Sequence, residues 1–399
     1  KRFPKDTKVT DMLYACYESA ANGEDFSEQL DNIHARYQEI IDGLNLDFSL
    51  DLDFVQIKEN FSNKAGADYA ASRGECLNGK IMAAYLGFEF VDAAEVVRFN
   101  DDGSFNDEVT NTLLSERLQD CKTAVIPGFY GAKKDGTIVT FSRGGSDITG
   151  SLVALAVQAD LYENWTDVSG FLIADPRIVK NPKSIETITY KELRELSYMG
   201  ASVLHEDAIF PVRKAGIPIN IRNTNAPQDK GTLIVEGTCR QPKYTITGIA
   251  GTDGFVAITV EKAMMNSEVG FCRKVLQVFE DNGVSIEHMP SGIDTMSIFV
   301  NKDVFEEKEQ KILADIHKAV NPDHIELESN LALIAVVGRG MKSTRGTAGR
   351  IFSALAHAHI NVKMIDQGSS ELNIIIGVRH DDFKNAIRAL YEIFVLTQI

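Results

Sequence analysis

Cysteine is sparse in this 399-residue chain: Cys16, Cys76, Cys121, Cys239 and Cys272 are odd in number and lie far apart. That pattern excludes a disulfide framework and a paired-thiolate metal site, and it reads as the reduced thiols of a cytoplasmic protein. No run of about 18 apolar residues occurs, and no signal peptide, so neither membrane insertion nor export is expected. Basic residues are outnumbered, 41 Lys and Arg against 57 Asp and Glu, which leaves a formal charge of -16. Nucleic acid and anionic membrane surfaces are therefore poor general partners, and an anionic ligand needs a local basic site. The eight histidines form no metal signature; His357 and His359, two apart in a helical pattern, point in different directions. Familiar phosphate devices are also missing. There is no Gly-x-x-x-x-Gly-Lys-Ser/Thr loop and no His-Arg-Asp loop, and Gly338-Arg-Gly340 lacks the third glycine of a dinucleotide fingerprint.

What is present is an α/β pattern long enough for two or three domains. Helical spacing runs through Met12, Leu13, Cys16 and Tyr17, then Leu30, Ile33, Tyr37 and Ile41, and again from Tyr69 to Gly87. Short apolar strands alternate with helices at 88–92, 123–127, 138–141, 161–166 and 218–222, the mark of a mostly parallel sheet that binds ligands at its strand ends. The chain is organised around Thr140-Phe-Ser-Arg-Gly-Gly-Ser-Asp-Ile-Thr-Gly150. A strand gives way there to two glycines and then to an apolar helix expected over 152–161. Ser146, Asp147 and Thr149 are natural caps, and a helix start with Arg143 beside it suits a carboxylate or phosphate. A capped turn with a surface arginine is the plain alternative.

Beyond a linker at 237–247 the sequence repeats itself. A shift of 76 residues lays Val256, Ile258 and Val260 on Ala332, Ile334 and Val336, and Gly270 on Gly346. Each copy reads strand, glycine loop, helix, strand, strand, which is half or more of a βαββαβ module. Residues 394–399 are a candidate for the last strand of one copy.

The remaining motifs are short and polar: Lys8-Val-Thr-Asp11, Ser72-Arg-Gly-Glu75, Thr166-Asp-Val-Ser-Gly170, Asp175-Pro-Arg177 and Gly200-Ala-Ser-Val-Leu-His205. Singly, each has a local explanation; Ser72 to Glu75, for instance, has capping-box spacing. Together with Phe141-Ser-Arg-Gly-Gly-Ser-Asp147, Trp165 and the paired repeats, they closely resemble the aspartate kinase family over the whole chain. The resemblance implies an amino-acid-kinase-like α/β/α sandwich with a mostly parallel sheet over 1–236. Two ferredoxin-like βαββαβ ACT domains would follow at 248–325 and 326–399. It also implies a monofunctional enzyme that uses ATP and Mg²⁺ to make 4-phospho-L-aspartate from L-aspartate, for lysine, threonine and methionine synthesis. By the family pattern Thr10, Glu75, Arg143, Gly144, Gly145 and Ser146 hold aspartate, with Arg143 and Asp147 as catalytic residues. Thr166, Asp167, Leu172, Arg177, Ser202 and Val203 stand at ATP positions. Leu172 replaces a tyrosine of some members, and Ser202 a lysine. The family's Lys-Phe-Gly-Gly motif falls ahead of residue 1. Met265, Ser285, Ile286 and Glu287 match effector positions, so inhibition by lysine, with or without threonine, is expected. The implied assembly is a homodimer or a dimer of dimers.

Two other readings use the same residues. One is a silent ACT-containing amino-acid sensor. The other is a kinase of the same fold acting on glutamate or N-acetylglutamate.

Overall fold

The structure, a computed structural model, describes residues 6–201, 204, 206–238 and 244–397. The chain forms two compact units, Lys1–Asn164 with Leu204–Ile219, and Trp165–Val203 with Asn220–Ile399.

The first unit opens with four helices, α1 (Val9–Ala21), α2 (Ser27–Gly43), α3 (Asp51–Ser62) and α4 (Ala67–Leu86). Leu13, Cys16, Leu30, Ile33, Phe54, Phe61 and Leu77 recur at helical spacing and close a shared core. Next come β1 (Glu89–Phe90), α5 (Ala93–Val96), α6 (Asp107–Leu118) and β2 (Ala124–Val125), with β1 and β2 parallel. The hairpin β3 (Tyr130–Ala132) and β4 (Ile138–Thr140) leads into α7 (Gly145–Ala156) and β5 (Tyr162–Thr166). The helix thus begins earlier than 152, directly on the glycine turn at Gly144, and ends earlier than 161, because Gln158 turns the chain with φ +50°.

In the second unit β6 (Thr187–Thr189) and α8 (Tyr190–Tyr198) precede α9 (Phe210–Ala215), which belongs to the first unit, and then β7 (Ile219–Asn223) and β8 (Thr232–Val235). The strand order is β5-β7-β8-β6, with β6 and β8 parallel.

The repeats follow. The first comprises β9 (Gly248–Glu261), α10 (Phe271–Asp281), β10 (Ile286–His288), β11 (Thr295–Asn301), α11 (Lys302–Glu306) and α12 (Glu309–Val320). The second comprises β12 (His324–Val337), α13 (Thr347–His357), β13 (Met364–Asp366), β14 (Asn373–Arg379) and α14 (Phe383–Tyr391). Gly270 and Gly346 occupy matching N-caps at φ +83° and +82°. All six strands form one sheet in the order β10-β11-β9-β12-β14-β13. The two long strands each serve both copies. Glu328 to His324 pair with Ala257 to Glu261 and close the first copy, whereas Gly248 to Asp253 pair with Val337 to Ala332 and supply the second copy's last strand. The candidate strand at 394–399 is therefore corrected: Glu392–Leu396 is a π-helical turn, and residues 398 and 399 lie outside the described residues. The sheet also bends round on itself, since His288 Nδ1 on one end strand lies 3.0 Å from Asp366 Oδ2 on the other. No helix among the described residues is long and apolar enough to cross a membrane.

Candidate functional site

In the first unit the site is built on the turn between β4 and α7. Gly144 sits in the left-handed region at φ +57°, a conformation that side chains with a Cβ rarely adopt. At Gly145 the constraint is space, because a Cβ there would stand 2.6 Å from Phe129 Cβ and 2.8 Å from Phe129 Cα. The expected caps do other work. Gly144 is the N-cap, and among the described residues no side chain caps the helix. Thr149 Oγ1 donates to Gly145 O at 2.9 Å and accepts from Phe129 N–H at 3.1 Å, locking the turn to the hairpin. Asp147 Oδ1 accepts from Asn164 Nδ2 at 2.8 Å. Ser146 is exposed next to Pro127-Gly128, and Arg143 is exposed with no ion pair among the described residues. The turn thus offers amide donors and a guanidinium to an anion.

Thr10 and Glu75 flank the place where α1 rests on α4, at Gly74 against Val9 and Leu13. The first turn of α4 is fastened to the end of β4, where Thr140 donates to Asp68 through N–H at 3.2 Å and Oγ1 at 3.0 Å. Glu75 reaches solvent, yet the protein packed around its carboxyl pushes its pKa above the ordinary carboxylate value. Ser72 is fully buried inside α4 and donates to Tyr69 O at 2.8 Å, so the capping-box spacing is not used as a cap. Beside it Arg73 lies 4.6 Å from the Tyr69 ring and 5.4 Å from the Tyr130 ring.

The expected ATP residues of the second unit are spread over two stretches. Thr166 and Asp167 leave β5 together, and Thr224 donates to Thr166 O through N–H at 2.8 Å and Oγ1 at 3.0 Å. Arg222 covers Trp165 at 4.8 Å from the ring centre. Leu172 is bridged to Ser184. Arg177 is already engaged: its Nε and Nη2 donate to Asp175 at 2.6 to 3.0 Å, and this pairing holds the Asp175 carboxyl below its usual pKa. Ser202 and Val203 lie outside the described residues.

Of the effector positions, Met265 is buried and lines a cavity of about 240 Å³ with Glu268, Phe271, Arg273 and Ser291. Two lysines, Lys262 and Lys274, bond Glu268 and bring its pKa down to about 2. Ser285 is exposed at the end of the preceding loop. Along β10, Ile286 turns into the first repeat's core. Glu287 instead accepts from Tyr198 Oη on α8, and burial and that bond push the phenol up to about 12.

Sequence reasoning missed Asn164, and it missed Glu192 on α8. Glu192 is fully buried and accepts from Thr247 Oγ1 at 2.5 Å, Arg339 N–H at 2.9 Å and Arg339 Nη1 at 2.9 Å. Its capping box with Thr189 was the available signal.

A helix start that presents bare amides and an arginine to an anion, on an α/β scaffold, is the equipment of a small-molecule kinase. The model of the amino acid kinase family matches residues 21–223, and an ACT domain model matches residues 334–394. Aspartokinase 3 of Bacillus subtilis is 39% identical over 99% of this chain and 90% of its own length. The crystal structure of Clostridium acetobutylicum aspartate kinase superposes with a TM-score of 0.88 at 54% identity, covering 99% of this chain and 91% of that one. Escherichia coli aspartokinase III, crystallised with aspartate and ADP, shares the fold at 23% identity and a TM-score of 0.65, over 97% of this chain and 91% of that one. The chain belongs to the aspartate kinase family.

Proposed function

We propose that this chain transfers the γ-phosphoryl group of ATP to the side-chain carboxylate of L-aspartate, giving 4-phospho-L-aspartate and ADP, under feedback through its ACT repeats. The observation that carries the reading is the Arg143 to Asp147 turn, whose guanidinium has no ion pair with a carboxylate among the described residues. The nucleophile needs no general base, because an aspartate side chain with a pKa of about 4 is ionised at neutral pH. What the protein must supply is alignment and positive charge. Arg143, the turn amides and Ser146 provide the anion contacts, and Thr10 and Glu75 suit the amino end of the substrate. Thr166, Asp167, Leu172 and Arg177 are assigned to ATP; for Arg177 this requires exchanging Asp175 for a phosphate.

Mg²⁺ characteristically keeps several waters and takes one or two carboxylates alongside phosphates, rather than a dedicated protein cage. Asp147 fits that role, since only one of its carboxylate oxygens is bonded within the protein among the described residues. When bound, the ion would neutralise phosphate charge.

For the effector we propose lysine, with Met265, Ser285, Ile286 and Glu287 as the site; an ammonium would compete with Tyr198 for Glu287. Lysine alone or lysine together with threonine is the effector we expect. A cytoplasmic homodimer or dimer of dimers is the setting we infer, in keeping with the free thiols Cys16, Cys76, Cys121 and Cys272 and with Val269, 97% exposed beside the effector cavity.

The test is ADP release from Mg-ATP with L-aspartate, glutamate or N-acetylglutamate, with and without lysine. Release that requires aspartate and is suppressed by lysine is the expected result. Lysine binding without any ADP release by the full-length protein would leave a sensor, and release driven by glutamate would change the substrate.

A further inference from the structure

Asp147 stands on the third residue of α7, and its carboxylate is met from the middle of β5 by an uncharged donor. Asn164 Nδ2 donates to Asp147 Oδ1 at 2.8 Å and to Tyr162 Oη at 3.2 Å. A carboxylate only accepts, so the amide nitrogen, not its oxygen, must face Asp147, and both of its hydrogens are committed. The phenol completes the brace. Tyr162 is half-buried, burial raises its pKa, and its hydroxyl lies 3.5 Å from Asp147 O. Room for that hydroxyl exists only because residue 150 is glycine, where a Cβ would stand 2.5 Å from Tyr162 Oη.

An amide holds a carboxylate without cancelling its charge, whereas a lysine or arginine at the same place would neutralise it. One oxygen is fixed, and the other has no hydrogen bond among the described residues. We infer that Asn164 is a positioning residue for phosphoryl transfer, fixing the orientation of the Asp147 carboxylate while leaving it negative, with Tyr162 fixing Asn164. The inference rests on the assignment of Asp147 to the catalytic apparatus.

The experiment is a double-mutant cycle on the full-length enzyme, with kcat and the KM for aspartate measured for Asn164→Ala, Asp147→Ala and the double variant. Thermal unfolding checks that each is folded. Asn164→Asp, of the same shape but unable to donate once ionised, serves as a second variant. Asn164→Ala and Asn164→Asp should each lower kcat roughly ten- to a hundredfold with the KM for aspartate within about twofold. In the Asp147→Ala background, Asn164→Ala should change kcat by less than about twofold, because the two act as a unit. Retention of kcat in Asn164→Ala and Asn164→Asp overturns the inference, as does an equal loss with and without Asp147. If Asp147→Ala alone keeps kcat, the assignment of Asp147 fails first and takes the inference with it.

Discussion

Arg143 and Arg177 differ in one respect that decides what each is free to do. Arg177 spends its guanidinium on Asp175, while Arg143, exposed beside the glycine pair, has no ion pair among the described residues. A charge-assisted hydrogen bond contributes about 1.5–3 kcal/mol, so Arg143→Ala should raise the KM for aspartate about ten- to a hundredfold and leave that for ATP nearly unchanged. Initial-rate kinetics with each substrate varied would check this, and an equal rise in both KM values would place Arg143 elsewhere. Gly145 makes a steric prediction. A methyl there meets the Cα of Phe129 at 2.8 Å, which no rotamer change can relieve. Gly145→Ala should cost about 1–3 kcal/mol in denaturant unfolding and sharply reduce kcat.

At the scale of elements, α8 is anchored to the repeats by side-chain bonds at two of its residues. Glu192 ties it to Thr247 just ahead of β9 and to Arg339 after β12, and Asn373 donates to Glu195 at 2.5 Å. Burial alone would raise the Glu192 pKa, but the bonds from Thr247, Arg339 and Thr189 more than offset it and hold the carboxyl below its usual value. The folded-state pKa is depressed, so this stabilisation is complete above the ordinary glutamate pKa of about 4.3 and is lost as pH falls through the folded value. Breaking a buried pair costs about 3–5 kcal/mol, so Glu192→Gln should lower stability at pH 7 by up to that amount and flatten the acid limb of the stability profile. Urea unfolding between pH 3 and pH 7 reads both effects.

The same elements show what the sequence discloses. The strand, glycine pair and helix around residue 144 announce themselves, because local chain geometry demands particular residue types in a fixed order. Asn164 does not, since a polar residue in a half-buried strand looks like ordinary alternation until Asp147 is seen opposite it, 17 residues away. Glu192 is hidden for a related reason: a carboxylate in a helix reads as solvent-facing unless its remote arginine is known. The capping role expected of Ser72 fails because Gly66 already starts α4 and Ser72 lies a turn inside it.

Over the whole second unit, the repeat is plain in the sequence, but its interlock is not. The hand-over falls at Asp253-Gly254, where Gly254 has φ +89°, but in the sequence an Asp-Gly step inside an apolar run reads as an ordinary turn and not as a strand passing from the second copy to the first. Because β9 and β12 are shared, the two copies should unfold in one transition. Val260→Ala, in the first copy's half, and Leu333→Ala, in the second's, should each weaken amide-exchange protection in both β11 and β14. Loss confined to the mutated copy would refute the coupling. The interlock also bears on inheritance. The first copy is nested within the second, and Asp253 lies opposite Ala332 where its two ends emerge. A deletion joining those ends by a tight turn would remove the inner copy and leave the outer one all its strands. Loss of the outer copy's C-terminal segment alone would instead strand Gly248 to Asp253 as an unpaired edge. Of the two descendants of the duplication, the inner one is a single continuous stretch of chain, whereas the outer one is assembled from two segments on either side of it.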